Sequence, residues 1–545
     1  MDESRLLRLA SFTALAFAIA FGVVIVTAIL WNRSFQVDEV EHIHGAYNMR
    51  DGRVLYRDFW QGHNPLLYVL IAPVMDVDDP VGSFHRARIV TGLLLMAIVG
   101  LVAYCGFRLG GLPTALGGAA FSLFHTTLME RGMEVRPDGG VSLATMAALA
   151  VEIRGRGTAL ARFSAQAVLL GLGFLFSQKA IFPAFAFGCL WLFDAWKERR
   201  PRLVLQPVLL WFAPLACALL VMLPFGCAQA FIQQNILDAF FAGAGAEYRK
   251  RFSPVPGLLH ESARNPLLVL LALAGIAWLA TRRKRPHAFV AFLAVVLTAS
   301  LWANPFPWPY VHVSALPVLM LAAASAIAAA DGRWGKSGAV IAGALAIAML
   351  TAVPRFLQKA APGTALQFAT LLEIQRVTTE DDRLFDLAGL YFRPDAYPSG
   401  YAMSGELLNW YAHGGFPRMV PELRRHACAG VLLNYRTLAL PKEERRFIAS
   451  HYVHYWSNLY LPGAELSNAP AGSTHAFEVM KGRAYRYEGN GLITIDGRPF
   501  VRGELTAGTH TIAVVRASTE ARLIVDTPAP VPPRVGPSSL YVNFD

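Results

Sequence analysis

Charged residues are scarce in this 545-residue chain: they make up 16% of it, whereas 54% is hydrophobic. The mean hydropathy is +0.39. This balance excludes an ordinary soluble protein and indicates an integral membrane protein with a soluble part. No low-complexity basic tail and no nucleic-acid motif accompanies the net charge of +11, so we expect no nucleic-acid partner. The five cysteines do not suggest a disulfide framework, although a bridge between Cys227 and Cys428 stays open.

Eleven apolar runs are long enough to span or nearly span a bilayer, which predicts a polytopic α-helical membrane protein. The first run is too long for the apolar region of a signal peptide and lacks a small-residue cleavage site, so we expect an uncleaved transmembrane helix. The runs lie near residues 9–31, 88–106, 112–128, 138–152, 162–177, 181–196, 203–223, 266–281, 287–302, 310–329 and 338–354.

Basic residues set the expected orientation of these spans. Clusters of Arg and Lys fall in alternate connectors, which the positive-inside rule assigns to the cytoplasm, whereas the connector 303–309 has no Lys or Arg. We therefore predict a plasma membrane protein, that of a bacterial inner membrane, with a cytoplasmic N-terminus. Because the number of spans is odd, the C-terminal region is expected on the extracytoplasmic side.

The composition changes after Pro354, which predicts a transmembrane domain at 1–354 and an extracytoplasmic domain at 355–545. Up to about residue 470 the pattern is mixed α/β, with helices expected at 365–378 and 441–450 and a strand at 430–434. Residues 475–527 are β-rich, with strands expected at 492–495 and 511–515 and a tight turn at Asp496-Gly497. A Pro-rich tail follows.

The polar stretch from Arg33 to Met75 lies between two long apolar segments, yet it contains acidic, basic and aromatic residues. Asp38 and Glu39 come directly after the first span. From Val40 onward the apolar residues recur at helical spacing, which predicts a short amphipathic helix in the membrane interface. The pattern Asp38-x-x-Glu41 also resembles a capping box, so Asp38 is either a helix N-cap or a functional carboxylate.

A second acidic motif, Arg136-Pro137-Asp138, opens the fourth span. Asp138 suits the first turn of a helix because the helix dipole favours a negative charge there, and this structural interpretation is sufficient for Asp138 alone. Two carboxylate motifs on the same side of one helical bundle are, however, what a membrane enzyme needs to deprotonate a hydroxyl group.

Basic groups on the same side are candidates for neutralising a phosphate. Lys179 follows an apolar segment, where snorkelling to the lipid headgroups is the alternative explanation. His63 and the cluster containing Arg249 and Arg251 are further candidates, the cluster having a solvated surface as its alternative. Tyr310 lies in an aromatic segment that a membrane-interface belt also explains.

Taken together, these motifs resemble the GT-C superfamily of glycosyltransferases. The first outer loop, with its Asp-Glu pair, G-x-x-x-Y-R-D-F and x-x-P-L-L-Y, is similar to that of the protein O-mannosyltransferase and lipid A aminoarabinose transferase group (glycosyltransferase family 39-like). The segments V-R-P-D, G-L-G-F-L-x-x-x-K and P-Y-x-x-x-x-x-L-P follow in the order seen in that group. The resemblance covers about residues 1–330.

The resemblance implies an inverting transferase that moves a sugar from a polyprenyl-phosphate carrier to an acceptor hydroxyl on a glycan, lipid or protein. Carried over by motif, it implies Asp38 as general base, Asp138 as a second essential acidic residue and Lys179 as a contact of the carrier phosphate. Beside these, Glu39 is a further candidate catalytic residue. His63, Arg249 and Arg251 are candidates for binding the donor phosphate, and Tyr56, Arg136 and Tyr310 are candidates for binding the substrate. His63-Asn64-Pro65 replaces the Lys-Pro-Pro of the aminoarabinose group, so a histidine, which is a weaker and switchable cation, stands where that group has a lysine.

Other functions compete with this one. A transferase or oligosaccharide ligase with a diphosphate-linked donor is the nearest alternative. A lipid or sugar transporter is disfavoured because the charges gather at one side of the spans instead of near their middle. A non-catalytic envelope scaffold would leave the paired acidic motifs unexplained. No cofactor is required by this chemistry, while a divalent metal ion held by Asp38, Glu39, His42 or His44 stays open.

Overall fold

The computed structural model describes residues 3–237, 254–303, 308–334, 337–397, 417–531 and 540–541. Contacts along the chain divide it into two compact units. The membrane unit comprises Met1–Arg33, Gly62–Met75 and Phe84–Pro362, and the sheet unit comprises Ser34–Gln61, Asp76–Ser83 and Gly363–Asp545. The domain boundary predicted at residue 354 stays a prediction. The two compact units meet along the chain at residues 362–363, and most of the first polar loop belongs to the same unit as the C-terminal residues.

A helix occupies each of the eleven predicted apolar runs, which confirms a polytopic membrane protein. Helices are numbered along the whole chain. Those running through the membrane unit are α1 (Glu3–Asn32), α3 (Leu66–Ile71), α4 (Pro80–Phe124), α5 (Thr126–Gly132), α6 (Asp138–Arg154), α7 (Ala159–Phe176), α8 (Ile181–Glu198), α9 (Arg202–Met222), α10 (Ala228–Ile232), α11 (Pro254–Arg264), α12 (Pro266–Ala280), α13 (Arg285–Ala303), α14 (Leu316–Trp334) and α15 (Ser337–Lys359).

Among the described helical segments, six are long and apolar enough to cross a membrane: Thr13–Asn32, Pro80–Phe124, Ala159–Phe176, Gln178–Glu198, Arg202–Phe225 and Arg285–Trp302. The 45-residue helix α4 contains the predicted run 88–106 and most of the run 112–128. Its geometry breaks at Gly110 and Gly111, and Gly111 has a φ of +77°, a backbone conformation that glycine adopts without steric cost. This break separates the two predicted spans.

Close approach of helices explains two of the buried glycines. A Cβ atom added at Gly275 on α12 would lie 1.8 Å from the carbonyl oxygen of Ala322 on α14, and one at Gly171 on α7 would lie 2.4 Å from that of Trp211 on α9. Such small residues let helix backbones pack directly in a membrane, where packing replaces the hydrophobic effect as the driving force.

A polar network also ties several membrane helices together. Arg285 Nε on α13 donates to Glu152 Oε1 on α6 over 2.7 Å, and Gln166 Nε2 on α7 donates to Glu152 Oε2 over 2.9 Å. Arg285 also binds Asp194 on α8. Glu152 is almost fully buried, and this pairing satisfies a charge that would otherwise be costly there.

Within the described residues, the sheet unit contains five helices and all the strands. The helices are α2 (Val37–Arg50), α16 (Ala365–Val377), α17 (Met419–Arg425), α18 (Tyr435–Leu438) and α19 (Lys442–His451). The strands are β1 (Leu384–Phe385), β2 (Gly430–Leu432), β3 (Tyr452–Trp456), β4 (Leu459–Glu465), β5 (Thr474–Val479), β6 (Arg483–Gly489), β7 (Leu492–Ile495), β8 (Arg498–Phe500), β9 (Arg502–Leu505), β10 (Gly508–Arg516) and β11 (Ala521–Val525).

These strands form two sheets. One has the order β1-β2-β4-β11-β6-β9 with β3 added against β4, and the other has the order β5-β10-β7-β8. Only β1 and β2 pair in parallel, whereas the remaining described pairs are antiparallel. Asp496 and Gly497 both have positive φ in the two-residue turn between β7 and β8, which confirms the predicted tight turn. The predicted α/β region followed by a β-rich region is therefore confirmed.

Candidate functional site

Lys179 and Asp138 form an ion pair within the membrane unit. Helix α7 ends at Phe176, and a 3₁₀ turn over Gln178–Ala180 holds Lys179 before α8 begins. Lys179 Nζ lies 2.6 Å from Oδ1 of Asp138, the first residue of α6. The Lys179 side chain is 22% exposed and that of Asp138 is 3% exposed. Lys179 therefore has a buried protein partner, which snorkelling alone does not explain. Asp138 is both the first residue of a helix and an ion-pair partner.

The ring of Tyr310 joins two cations of this unit. The guanidinium carbon of Arg136 lies 4.1 Å from the ring centroid, and Lys179 Nζ lies 4.7 Å from it. Cations over an aromatic face are attracted by its quadrupole. We call Arg136, Asp138, Lys179 and Tyr310 the Tyr310 cluster. Each of these four residues was a candidate from the sequence, and the structure brings them together although Tyr310 is more than 130 positions from Lys179.

Glu134 holds the Arg136 end of the Tyr310 cluster. It accepts hydrogen bonds from Arg136 Nε over 2.7 Å and from Arg131 over 2.7 Å, and it also binds Arg33. Burial would raise the pKa of Glu134, but the three guanidinium groups outweigh it and hold that pKa well below its usual range. Three guanidinium groups around one carboxylate leave this region positively charged. No motif or spacing in the sequence marks Glu134, although it lies two residues before Arg136.

Asp38 lies in the sheet unit, on α2. That helix begins at Val37, and the backbone N–H of Gln36 donates to Glu39 Oε2 over 3.0 Å. The prediction of Asp38 as N-cap is therefore wrong, because Gln36 occupies the cap position and Glu39 closes the first turn. Asp38 instead pairs with a distant residue: Arg436 Nη2 donates to Asp38 Oδ1 over 2.6 Å.

The polar residues of α2 are mostly buried. Glu39, Glu41, His42 and His44 are each 6% exposed or less. A helix lying in the membrane interface would present these residues to water and headgroups. The helix itself was predicted correctly, but its interpretation as an interfacial helix is wrong.

His44 is fixed by acceptors on both sides of its ring. Nδ1 lies 2.7 Å from the carbonyl oxygen of Tyr391, and Nε2 lies 3.1 Å from Asp395 Oδ1. Asp395 also accepts from Asn48 Nδ2 over 3.1 Å and from the Tyr391 hydroxyl over 2.8 Å. Burial would raise the pKa of Asp395, but His44 and the other donors outweigh it and lower that pKa. Because both ring nitrogens are engaged, His44 does not serve as a metal ligand in this arrangement.

The remaining candidates differ in how much the structure describes. Tyr56 is buried in the sheet unit with a φ of +69°, an unusual conformation for a residue with a side chain and one that tends to occur at functional positions. His63 belongs to the membrane unit and is half-buried. Arg249 and Arg251 lie outside the described residues. The thiols of all five cysteines are free, so the bridge between Cys227 and Cys428 is absent from these described positions.

Comparisons with known proteins identify the fold. No family model matches the sequence, and no curated protein matches it either. Among solved structures, apo ArnT from Cupriavidus metallidurans is similar with a TM-score of 0.56 at 12% identity, covering 83% of this chain and 98% of ArnT. The same protein bound to undecaprenyl phosphate gives a TM-score of 0.52 at 12% identity, covering 93% of this chain and 98% of ArnT.

A third similar structure is the oligosaccharyltransferase of Archaeoglobus fulgidus in complex with Zn and sulfate. Its TM-score is 0.51 at 11% identity, and the match covers 96% of each chain. At such low identity the likeness concerns the fold, and it extends over nearly the whole of both proteins. The chain therefore shares its fold with ArnT and with this oligosaccharyltransferase.

Proposed function

We propose that this protein is an inverting glycosyltransferase that moves a sugar from a polyprenyl-phosphate carrier to an acceptor hydroxyl. The observation that supports it most directly is the Tyr310 cluster, where Arg136 and Lys179 converge on one ring beside Asp138. A lysine and an arginine are suited to bind a phosphate monoester anion. ArnT, whose fold this chain shares, has been crystallised with undecaprenyl phosphate.

In the proposed reaction the acceptor oxygen attacks the anomeric carbon of the sugar. Asp38 takes the proton of the acceptor hydroxyl as general base, and the bond between the anomeric carbon and the phosphate oxygen breaks. Its electron pair leaves with the polyprenyl phosphate, whose growing negative charge Lys179 and Arg136 stabilise. Attack opposite to the leaving group inverts the anomeric centre.

The other predicted residues have secondary roles in this proposal. Asp138 forms an ion pair with Lys179 for which the donor phosphate would compete, and Glu134 holds Arg136 in place. Glu39, which was expected to be catalytic, acts on the α2 start through its bond to Gln36. Tyr56 is proposed to bind the substrate, and His63, Arg249 and Arg251 are proposed as additional phosphate-binding residues.

We further propose the plasma membrane as the location, with the N-terminus in the cytoplasm and the sheet unit outside. The distribution of basic connectors supports this orientation. The residues of the proposed reaction balance the phosphate charge without a metal ion. Because the similar oligosaccharyltransferase structure contains Zn, the assay described below is repeated with a chelator and with added divalent ions.

The test begins with lipid extracts from membranes with and without the protein. One polyprenyl-phosphate sugar should accumulate in its absence, and accumulation of a diphosphate-linked sugar would favour the alternative donor class. Purified protein in nanodiscs should then release undecaprenyl phosphate from one of a panel of undecaprenyl-phosphate hexoses and pentoses. If no lipid-linked sugar accumulates and none of the panel is consumed, the proposed function is wrong.

A further inference from the structure

We propose that Arg436 is a positioning residue for Asp38, so that the C-terminal part of the chain takes part in the transfer reaction. This inference rests on the proposed function of Asp38 as general base. Arg436 Nη2 donates to Asp38 Oδ1 over 2.6 Å, and Arg436 is 398 positions away along the chain. The guanidinium would keep the carboxylate ionised and would fix its orientation toward the acceptor hydroxyl.

The backbone around Arg436 is built to hold it. Asn434 caps the short helix α18: its side-chain oxygen accepts from the backbone N–H groups of Arg436 over 2.8 Å and Thr437 over 3.2 Å. The Asn434 side-chain nitrogen donates to the carbonyl oxygen of Asp386 over 2.6 Å. The cap therefore joins α18 to the segment that follows β1, and Arg436 starts from a fixed backbone.

The segment after β1 provides the second anchor. The buried carboxylate of Asp386 accepts the backbone N–H groups of Ala388 over 2.7 Å and Leu390 over 3.0 Å. Leu387, between them, has a φ of +61°, and its carbonyl oxygen accepts from Arg436 Nη1 over 3.0 Å. A leucine in this conformation costs free energy, which the surrounding hydrogen bonds must offset.

The third contact is with Glu41, whose Oε2 lies 3.5 Å from Arg436 Nη1. The side chain of Arg436 is 4% exposed, whereas that of Asp38 is 19% exposed. A buried guanidinium fixed by Leu387 and Glu41 thus presents one edge to a carboxylate that solvent and small molecules can reach. This is the arrangement needed to orient a base, because the fork of an arginine fixes the direction of its acceptor.

Charged and titratable groups on helices α2 and α18 would set the protonation of Asp38. Helix α2 contributes Glu41, a like charge that opposes ionisation, while Glu39 is turned to the Gln36 amide. Helix α18 contributes Arg436 and Tyr435; burial raises the pKa of Tyr435, which keeps it neutral. Arg436 is the cation whose ion pair with Asp38 is described, so its removal should favour the protonated form of Asp38.

The test compares Arg436→Gln with the wild-type enzyme. Turnover is measured from pH 5 to 9 with the undecaprenyl-phosphate sugar that the wild type uses. We expect kcat to fall about 10–100-fold and the acidic limb of the pH profile to move upward by about 1 unit or more. Donor KM should change little. Arg436→Lys keeps the charge but lacks the fork, so its kcat should fall while its acidic limb stays near that of the wild type.

The matched control is Arg424→Gln, which removes an exposed ion pair with Glu478 in the same unit and should behave as the wild type. A folded Arg436→Gln protein with wild-type turnover, or with lower turnover but an unmoved pH profile, would refute the positioning role. Should the Gln variant not fold, a wild-type kcat in Arg436→Lys would refute it as well.

A second measurement separates this inference from the proposed function. Carbodiimides label protonated carboxyl groups, so the labelling of Asp38 can be followed by mass spectrometry at each pH without any turnover. Arg436→Gln should extend this labelling to higher pH. If the wild type consumes no donor but the labelling shifts, the reaction is wrong and the pairing stands; if the labelling is unchanged, the inference about Arg436 is wrong.

Discussion

Lys179 Nζ lies 2.6 Å from Asp138 Oδ1, so the lysine expected to bind a phosphate already has a carboxylate partner. The carboxylate of Asp138 and a bound phosphate would compete for the ammonium group of Lys179. The phosphate is attracted by Lys179 and repelled by Asp138. Lys179→Ala and Asp138→Asn should therefore have opposite effects on the binding of undecaprenyl phosphate. Lys179→Ala should weaken binding by about 10–100-fold, whereas Asp138→Asn should strengthen it.

Binding of undecaprenyl phosphate to protein in nanodiscs measures both changes. His63→Ala serves for comparison, because an unperturbed histidine is mostly neutral above a pH of about 6.5 and should matter only below it. Weaker binding in both the Lys179→Ala and the Asp138→Asn protein would mean that their pair acts as a structural unit and that Lys179 does not contact the phosphate.

The orientation of the chain is tested separately. An alkaline phosphatase reporter, which is active only outside the cytoplasm, is fused after Asp545, and a fluorescent protein that folds only inside the cytoplasm replaces it in a second fusion. We expect an active phosphatase and a dark fluorescent fusion, because the basic connectors alternate over an odd number of spans. The opposite pattern would place the sheet unit in the cytoplasm and contradict the proposed site.

The membrane helices could be predicted from the sequence because hydropathy is a local property. A run of apolar residues reports a span whatever its neighbours are, and the basic connectors divide one span from the next. Predicting the partners of α2 was not possible in this way. Both Gln36-x-x-Glu39 and Asp38-x-x-Glu41 fit the spacing of a capping box, and the local pattern does not choose between them. In the structure Gln36 is the cap, and Asp38 lies inside the helix and pairs with Arg436.

The residues of the Tyr310 cluster could be predicted as candidates because each lies in or beside a sequence motif at the end of an apolar run. Glu134 and Arg436 had no such signal. A single arginine after a short strand is common in any α/β region, and its burial beside Asp38 depends on how the chain folds over nearly four hundred positions. Ion pairs of this kind follow from tertiary structure and leave no periodic pattern in the sequence.

Packing between α12 and α14 gives a test of the helical bundle. A Cβ atom at residue 275 would lie 1.8 Å from the carbonyl oxygen of Ala322, which no rotamer change can relieve because the obstacle is backbone. Gly275→Ala should therefore lower stability by about 1–3 kcal/mol, seen as a lower apparent Tm in detergent. Gly188→Ala on α8 is the control, since nothing lies within 4 Å of a Cβ at that position. Equal apparent Tm values would contradict the close contact.

The buried Asp395 should make stability depend on pH. Its pKa in the folded protein is lowered, so its contribution to stability is present above the pKa of the unfolded chain, about 3.9, and is lost as the pH falls through the folded value. Asp395→Asn should cost about 1.5–3 kcal/mol at pH 7, and the difference from the wild type should shrink below about pH 4. Apparent Tm measured from pH 3 to 7 tests this, with the exposed Asp381→Asn as control. A difference that stays constant down to pH 3 would show that the Asp395 charge does not stabilise the fold.

The decisive substitution for the proposed reaction is Asp38→Asn. Asparagine keeps an oxygen that can accept from Arg436, but it takes no proton, and loss of a general base costs roughly 10²–10⁴-fold in rate. Because Gln36 and Glu39 form the start of α2, the variant should retain that helix. Asp38→Glu should also be slow, since one added methylene moves the carboxylate away from its position.

Glu39→Gln is the internal control: its amide oxygen can still accept from the Gln36 backbone, so turnover should stay near the wild-type rate. Turnover is measured with purified protein in nanodiscs, with donor binding and apparent Tm recorded for each variant. A well-folded Asp38→Asn protein with near-normal turnover would show that Asp38 is a structural partner of Arg436 and that the base lies elsewhere.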